Sequence, residues 1–178
     1  FQFVQMVCDS SATWAKFRDL LHSLENTGCS LYLEIAGISL ERFSVGMSPA
    51  ELEDVLMHAV RANISIYGYH AMPVIRAKQR LADLFRVNQK YLRADTCYQE
   101  CIDLLNQSFP DSLDLLERAL SYHGTMKRHQ SEYDNALADF RICRNLIARM
   151  GDDSRLAFVC NEESIILGNS GNIPWSLV

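Results

Sequence analysis

Cys97 and Cys101 sit four residues apart, the spacing at which two side chains of one helix can share a metal ion. His58, His123 and His129 are the residues that could complete a zinc-type site. Two acidic pairs, Asp152-Asp153 and Glu162-Glu163, raise the question of general acid–base chemistry. Adjacent residues on a helix point apart, so these pairs fit a helix cap and a solvated face better than a catalytic dyad. No nucleophile elbow G-x-S-x-G, no phosphate-binding P-loop and no G-x-G-x-x-G turn occurs in the chain. The residues therefore give no reason to expect an enzyme or a cofactor.

Any chemistry must be positioned by the fold, which length and composition bound. The chain has 178 residues and a formal charge of −5. A chain of this size buries about 68–72% of its unfolded surface, so it needs no disulfide or metal to fold. Nearly half the residues are apolar, which excludes global disorder. Net negative charge argues against nucleic acid as partner, since that affinity rests on Lys and Arg neutralising phosphates. No run of about 18 apolar residues is present, so membrane insertion is not expected. Phe1–Cys8 is apolar but has neither the basic start nor the small-residue cleavage site of a signal peptide. The six cysteines, Cys8, Cys29, Cys97, Cys101, Cys143 and Cys160, lack the close spacing of a disulfide framework. Buried thiols in a reducing cytoplasmic compartment are the expectation. The sequence opens on Phe and stops at Val178 within a pattern, as a fragment of a longer protein would.

Apolar residues recur at intervals of three and four, and prolines are few, which predicts an all-α chain. Eight helices are expected. The first two run from about Ser11 to Glu25 and from Ser30 to Phe43. The third opens at Ser48-Pro49 with Glu51 as a capping-box acid and extends to about Ile66. The fourth runs from near Pro73 to Arg86 or Val87, and the fifth from Tyr91 to Gln107. The sixth runs from Asp111-Ser112 to His129 and the seventh from Ser131 to Met150. The eighth starts at Asp153-Ser154 and ends near Gly168. Phe1–Cys8 and Asn172–Val178 fit no helix.

An internal echo organises these helices. Tyr91-x-x-Ala94-x-x-x-Tyr98-x-x-Cys101 is followed 42 residues later by Tyr133-x-x-Ala136-x-x-x-Phe140-x-x-Cys143. Turn formers keep the same period at Gly68, Pro110 and Asp152, and at Gly46, Asn88, Gln130 and Asn172. A fixed period that carries both packing residues and punctuation marks a helical repeat array. Small residues let two helix axes approach closely, and an aromatic one turn later fills the gap. Cys101 and Cys143 occupy the small-residue position, which favours cysteine as a small hydrophobe over a metal ligand.

Leu81-Ala82-x-x-Phe85-x5-Tyr91-x-x-Ala94-x-x-x-Tyr98-x-x-Cys101 resembles the tetratricopeptide repeat, with its leucine–small pair and its later Tyr, Ala, aromatic and small residues at fixed offsets. The next unit fits over Gly124 and Tyr133–Cys143, with His123 and Lys127 in place of the family's Leu and aromatic. The common repeat has 34 residues, so 42 adds about two helical turns, as in the kinesin-light-chain type. The resemblance is strong over about residues 75–147 and implies a single α-α superhelix of three to four helix pairs. It also implies that first helices line a concave groove through fixed positions. On this chain those are Arg76, Gln79, Asp83 and Arg86, then Arg118, Ser121, Thr125 and Arg128, with Arg80 beside them. Five arginines on one surface suit an acidic or C-terminal peptide, because the guanidinium fork pairs carboxylates. Asp83 and Thr125 stand where the asparagine of the family's carboxylate clamp would be, so that clamp is not expected here.

The function these observations predict is protein–protein interaction, as a scaffold or adaptor that binds a partner peptide or helix in the groove. The alternative is a structural segment of a large assembly, packing on sister repeats. Self-association through uncapped ends follows from either, since solenoid ends need polar caps. Reversal of Arg86 and Arg128 should then abolish binding and spare the fold.

Overall fold

The computed structural model describes residues 48–169, which form six helices and, among the described residues, no strand. They are α1 Pro49–Tyr67, α2 Met72–Val87, α3 Tyr91–Ser108, α4 Leu113–His129, α5 Tyr133–Met150 and α6 Asp153–Asn169. These are the third to eighth of the expected helices. The first two, like Phe1–Cys8 and Asn172–Val178, lie outside the described residues. None of the six helices is long and apolar enough to cross a membrane.

Two compact units divide the chain between Leu84 and Phe85, inside α2. In the first, α1 starts as its sequence dictates. The Ser48 hydroxyl accepts from the Glu51 N–H at 3.3 Å, the Glu51 carboxylate accepts from the Ser48 N–H at 2.8 Å, and Pro49 opens the first turn. Gly68 ends the helix at φ 82°, a left-handed value that disfavours a side chain. Val55, Leu56, Ala59 and Ala62 form the buried stripe of α1. Asn63 is also buried, and its amide donates to the Ala59 carbonyl at 2.7 Å. Val74 and Ile75 anchor the start of α2.

In the second unit α4 packs against both α3 and α5, and α6 packs mainly on α5. The residues of the sequence echo are its core. Ala94, Tyr98 and Cys101 on α3, and Ala136, Phe140 and Cys143 on α5, are all fully buried. At Gly124, α4 lies close against α5. A Cβ there would lie 3.1 Å from the Phe140 ring and 3.2 Å from the Asp139 Cβ. Adding bulk at such a site forces backbone shifts. Ala136→Leu is expected to lower stability by about 1–3 kcal/mol, read as a reduced urea midpoint at unchanged slope.

The backbone repeats the period as well. Gln89 and Ser131, 42 residues apart, both adopt left-handed φ values, 57° and 63°. The hydrogen bonds around them match. Gln89 N–H donates to Arg86 O and Lys90 N–H to Phe85 O; Ser131 N–H donates to Arg128 O and Glu132 N–H to Lys127 O. The helix-initiating residues Lys90 and Glu132 share φ near −84° and ψ near 60° (−83°/58° and −85°/64°). Thus α5 starts at Tyr133, two residues later than expected, because Ser131 is spent on the reversal and Glu132 on the cap. A non-glycine residue in this region costs about 1–2 kcal/mol. Both side chains are exposed. Gln89→Gly and Ser131→Gly are each expected to raise the melting temperature by about 1–4 °C, since strain relief exceeds the added chain entropy by a fraction of a kcal/mol.

α6 starts at Asp153, as expected, and Asp152 is its cap. Its carboxylate accepts from the Ser154 hydroxyl at 2.6 Å and from the Arg155 N–H at 3.1 Å. These bonds hold its carboxyl below the ordinary range, the Ser154 bond foremost. Ile166 of α6 is buried, whereas Ile165 is exposed. Trp175 lies outside the described residues.

Candidate binding cleft

Within the second unit, one stripe of α4 faces α6 across an open cleft of about 570 Å³. From α4 come Asp114, Glu117, Arg118, Ser121 and Tyr122, whose spacings of three and four place them on one helix face. From α6 come Ser154, Arg155 and Phe158. Phe158 is 43% exposed, an aromatic ring left open to solvent at the cleft wall.

One wall is a charge hub. The Arg155 guanidinium reaches Asp114 at 2.6 Å, Glu117 at 2.9 Å and Asp152 at 3.0 Å. Glu117 is 5% exposed. Burial raises its carboxyl above the ordinary range, and Arg155 only partly offsets this. The hub ties the start of α6 to the start of α4, and Arg155 spends its donors on three carboxylates from this chain.

The other wall is aromatic and cationic. The Tyr122 ring carries two guanidinium groups, Arg86 at 4.7 Å and Arg118 at 5.7 Å from its centroid. Guanidinium over a tyrosine face is attracted by the ring quadrupole. Arg86 also donates to the Tyr98 hydroxyl at 3.3 Å, so it is oriented from two sides. Together Arg118, Tyr122 and Phe158 offer what a peptide side chain or carboxylate can meet: flat apolar area beside positive charge.

The nine groove residues predicted from the repeat are distributed unequally. Arg118 and Ser121 line the cleft, and Arg86 reaches it through Tyr122. Thr125 is half-buried and turns its hydroxyl back to the Ser121 carbonyl at 2.9 Å. Arg128 points elsewhere, its Nε 2.7 Å from the Glu162 carboxylate, with side-chain exposures of 17% and 9%. On the first part of α2, Arg76 and Arg80 are exposed, Asp83 is half-buried and Gln79 is buried. The cleft residues that sequence reasoning missed are Asp114, Glu117, Tyr122, Ser154, Arg155 and Phe158. Tyr122 was accessible to it, since it lies four residues after Arg118 on the same helix face.

The cysteine–histidine set does not assemble. Among the described residues no group of His, Cys, Asp and Glu has the arrangement of a metal site. His58 pairs with Asp54 at 3.5 Å. Cys101 and Cys143 are core residues. Burial, reinforced by the charges of Glu117 and Asp139, pushes the Cys143 thiol far above the usual thiol range, which leaves it neutral and unreactive. His123 instead lies between two aspartates. Its Nδ1 is 2.7 Å from Asp139 Oδ2 and its Nε2 is 2.8 Å from Asp95 Oδ1. Lys127 joins the same cluster at 2.8 Å from Asp95 and 3.1 Å from Glu132. The two departures from the family pattern, His123 and Lys127, are thus matched by acids on neighbouring helices.

No protein-family model matches the chain, and no curated protein matches it as a relative.

Proposed function

We propose that the chain is a protein-interaction module of tetratricopeptide-like type, a scaffold or adaptor that holds a segment of a partner protein in the α4/α6 cleft. The observation that carries this reading is the cleft wall itself: two guanidinium groups on Tyr122, opposite an exposed Phe158. Open aromatic and arginine side chains in a concavity are the groups that dominate binding energy at protein interfaces. The matched turns at Gln89 and Ser131 support a repeat array, which would extend into a superhelix. The occupant is an acidic or C-terminal peptide segment whose carboxylate meets Arg118 while an apolar side chain lies between Tyr122 and Phe158. The module is not an enzyme, works without a cofactor, and belongs in a reducing intracellular compartment.

The assembly reading keeps one specific support. Val87 and Leu92 are 68% and 80% exposed beside the α2–α3 turn, and Ile165 is exposed on α6. Apolar residues there suit packing against another protein surface rather than a peptide.

The test is quantitative capture from cell extract by the whole chain, by Tyr122→Ala/Phe158→Ala and by Val87→Ser/Leu92→Ser. Loss of the same partner band only in the first variant, with weaker capture at 500 mM than at 50 mM salt, supports the cleft. Loss only in the second supports assembly. Equal capture by all three defeats both readings.

A further inference from the structure

His123 is buried, and both of its ring nitrogens lie within 2.8 Å of a carboxylate oxygen. A neutral imidazole has one N–H and one lone pair, so one of these contacts would set a lone pair against an anionic oxygen. Only the imidazolium donates to both. The two acids come from different helices, Asp95 from α3 and Asp139 from α5, and His123 stands on α4 between them. We infer that His123 is a proton-operated pin: as imidazolium it fastens α3 and α5 to α4, and loss of its proton releases this fastening.

The surroundings of the ring bear this out. From α3 come Asp95 and the Tyr98 ring, whose centroid is 6.1 Å from that of His123. Tyr98 in turn takes the Arg86 donor on its hydroxyl. From α5 comes Asp139, whose side chain is 14% exposed, with Cys143 one turn further on. From α4 itself comes Lys127, which bridges Asp95 to Glu132 at the start of α5. Asp95, Asp139 and Glu132 thus face Lys127 and His123, three acids against two bases when the ring is charged and against one when it is not. Burial alone would lower the His123 pKa, but hydrogen bonds and charge from Asp139, then Asp95, outweigh it and hold the ring above its ordinary value. Asp95 is likewise raised by burial but carried below its ordinary value by Lys127 and His123.

The direction follows. A base whose folded pKa is raised gives its full stabilisation below the unfolded value, about 6.5, and loses it as pH climbs through the folded value. The pin is therefore set below the folded value, which lies above the ordinary imidazole value, and is withdrawn as pH climbs through it. On the acid side its contact with Asp95 holds until that carboxylate protonates, below the usual aspartate range.

The experiment uses the whole chain labelled with ¹⁵N-histidine. At pH 7 both His123 nitrogens are expected to show the shifts of protonated nitrogen, and the ring is expected to titrate above pH 6.5. Amide exchange is followed in parallel and corrected for its intrinsic base dependence. Protection of α5 should fall at least tenfold across the same midpoint in the native chain. In His123→Gln, which can donate to one aspartate but carries no charge, protection should be weaker at neutral pH and show no step. A neutral ring at pH 7, or an exchange step in the native chain away from the ring's midpoint, overturns the inference. So does an identical step in His123→Gln. The two measurements on the native chain decide the matter even where the variant does not fold.

Discussion

His123→Leu is expected to destabilise the chain by about 3–5 kcal/mol at pH 7, the usual range when one partner of a buried ion pair is removed. Leucine is the residue that the repeat pattern favours at this position, so a pattern-based choice would count the change as an improvement. The structure says the opposite. With the imidazolium gone, Asp139 keeps its burial between α4 and α5 and loses the contact at 2.7 Å that compensates it. Asp95 is less affected, because Lys127 remains 2.8 Å away. Adding Asp139→Ala to His123→Leu should recover most of the loss, since removing both members of a buried pair is often close to neutral. The measurement is urea unfolding of the native chain, both single variants and the double variant. Equal destabilisation by His123→Leu and the double variant would mean that the cost lies in packing and not in the stranded carboxylate.

The second large effect concerns Arg128. Arg128→Glu should lower stability by about 3–5 kcal/mol, because it sets a new carboxylate against Glu162, whose side chain is 9% exposed. At roughly 2–4 °C per kcal/mol for a chain of this size, the melting temperature should fall by about 6–20 °C. The change is thus a poor probe of peptide binding, since loss of the fold would imitate loss of affinity. Arg118→Glu is the better probe, being exposed at the cleft. The exchange Arg128→Glu with Glu162→Arg should restore much of the melting temperature. A single reversal that melts like the native chain would show the ion pair to be too well solvated to matter.

Helix identity was legible in the sequence because periodicity and punctuation are local. Ser48-Pro49-x-Glu51 specified the start of α1 within a residue, and the buried set Ala94, Tyr98 and Cys101 with Ala136, Phe140 and Cys143 was readable from its spacing. The left-handed turns were not, because neither Gln89 nor Ser131 is a residue that favours positive φ. The aspartates around His123 were hidden for a different reason. They lie 28 and 16 residues away, and nothing in a single sequence links an unexpected histidine to distant acids. A pattern that names one residue per turn selected Arg118 and Ser121 but passed over Tyr122, and it could not show that Arg128 would meet Glu162.

The twin reversals at Gln89 and Ser131 also define a splice point. The chain leaves each with the same dihedrals and the same two hydrogen bonds, so residues 90–131 form a cassette whose two ends fit one another. Writing that cassette twice would join Ser131 to a second Lys90 without a new kind of junction, and would add a further α3–α4 pair in register. Such a segment can be lengthened by simple duplication of its gene. In a repeat array of the proposed kind, reach would be set by copy number and not by the invention of new loops.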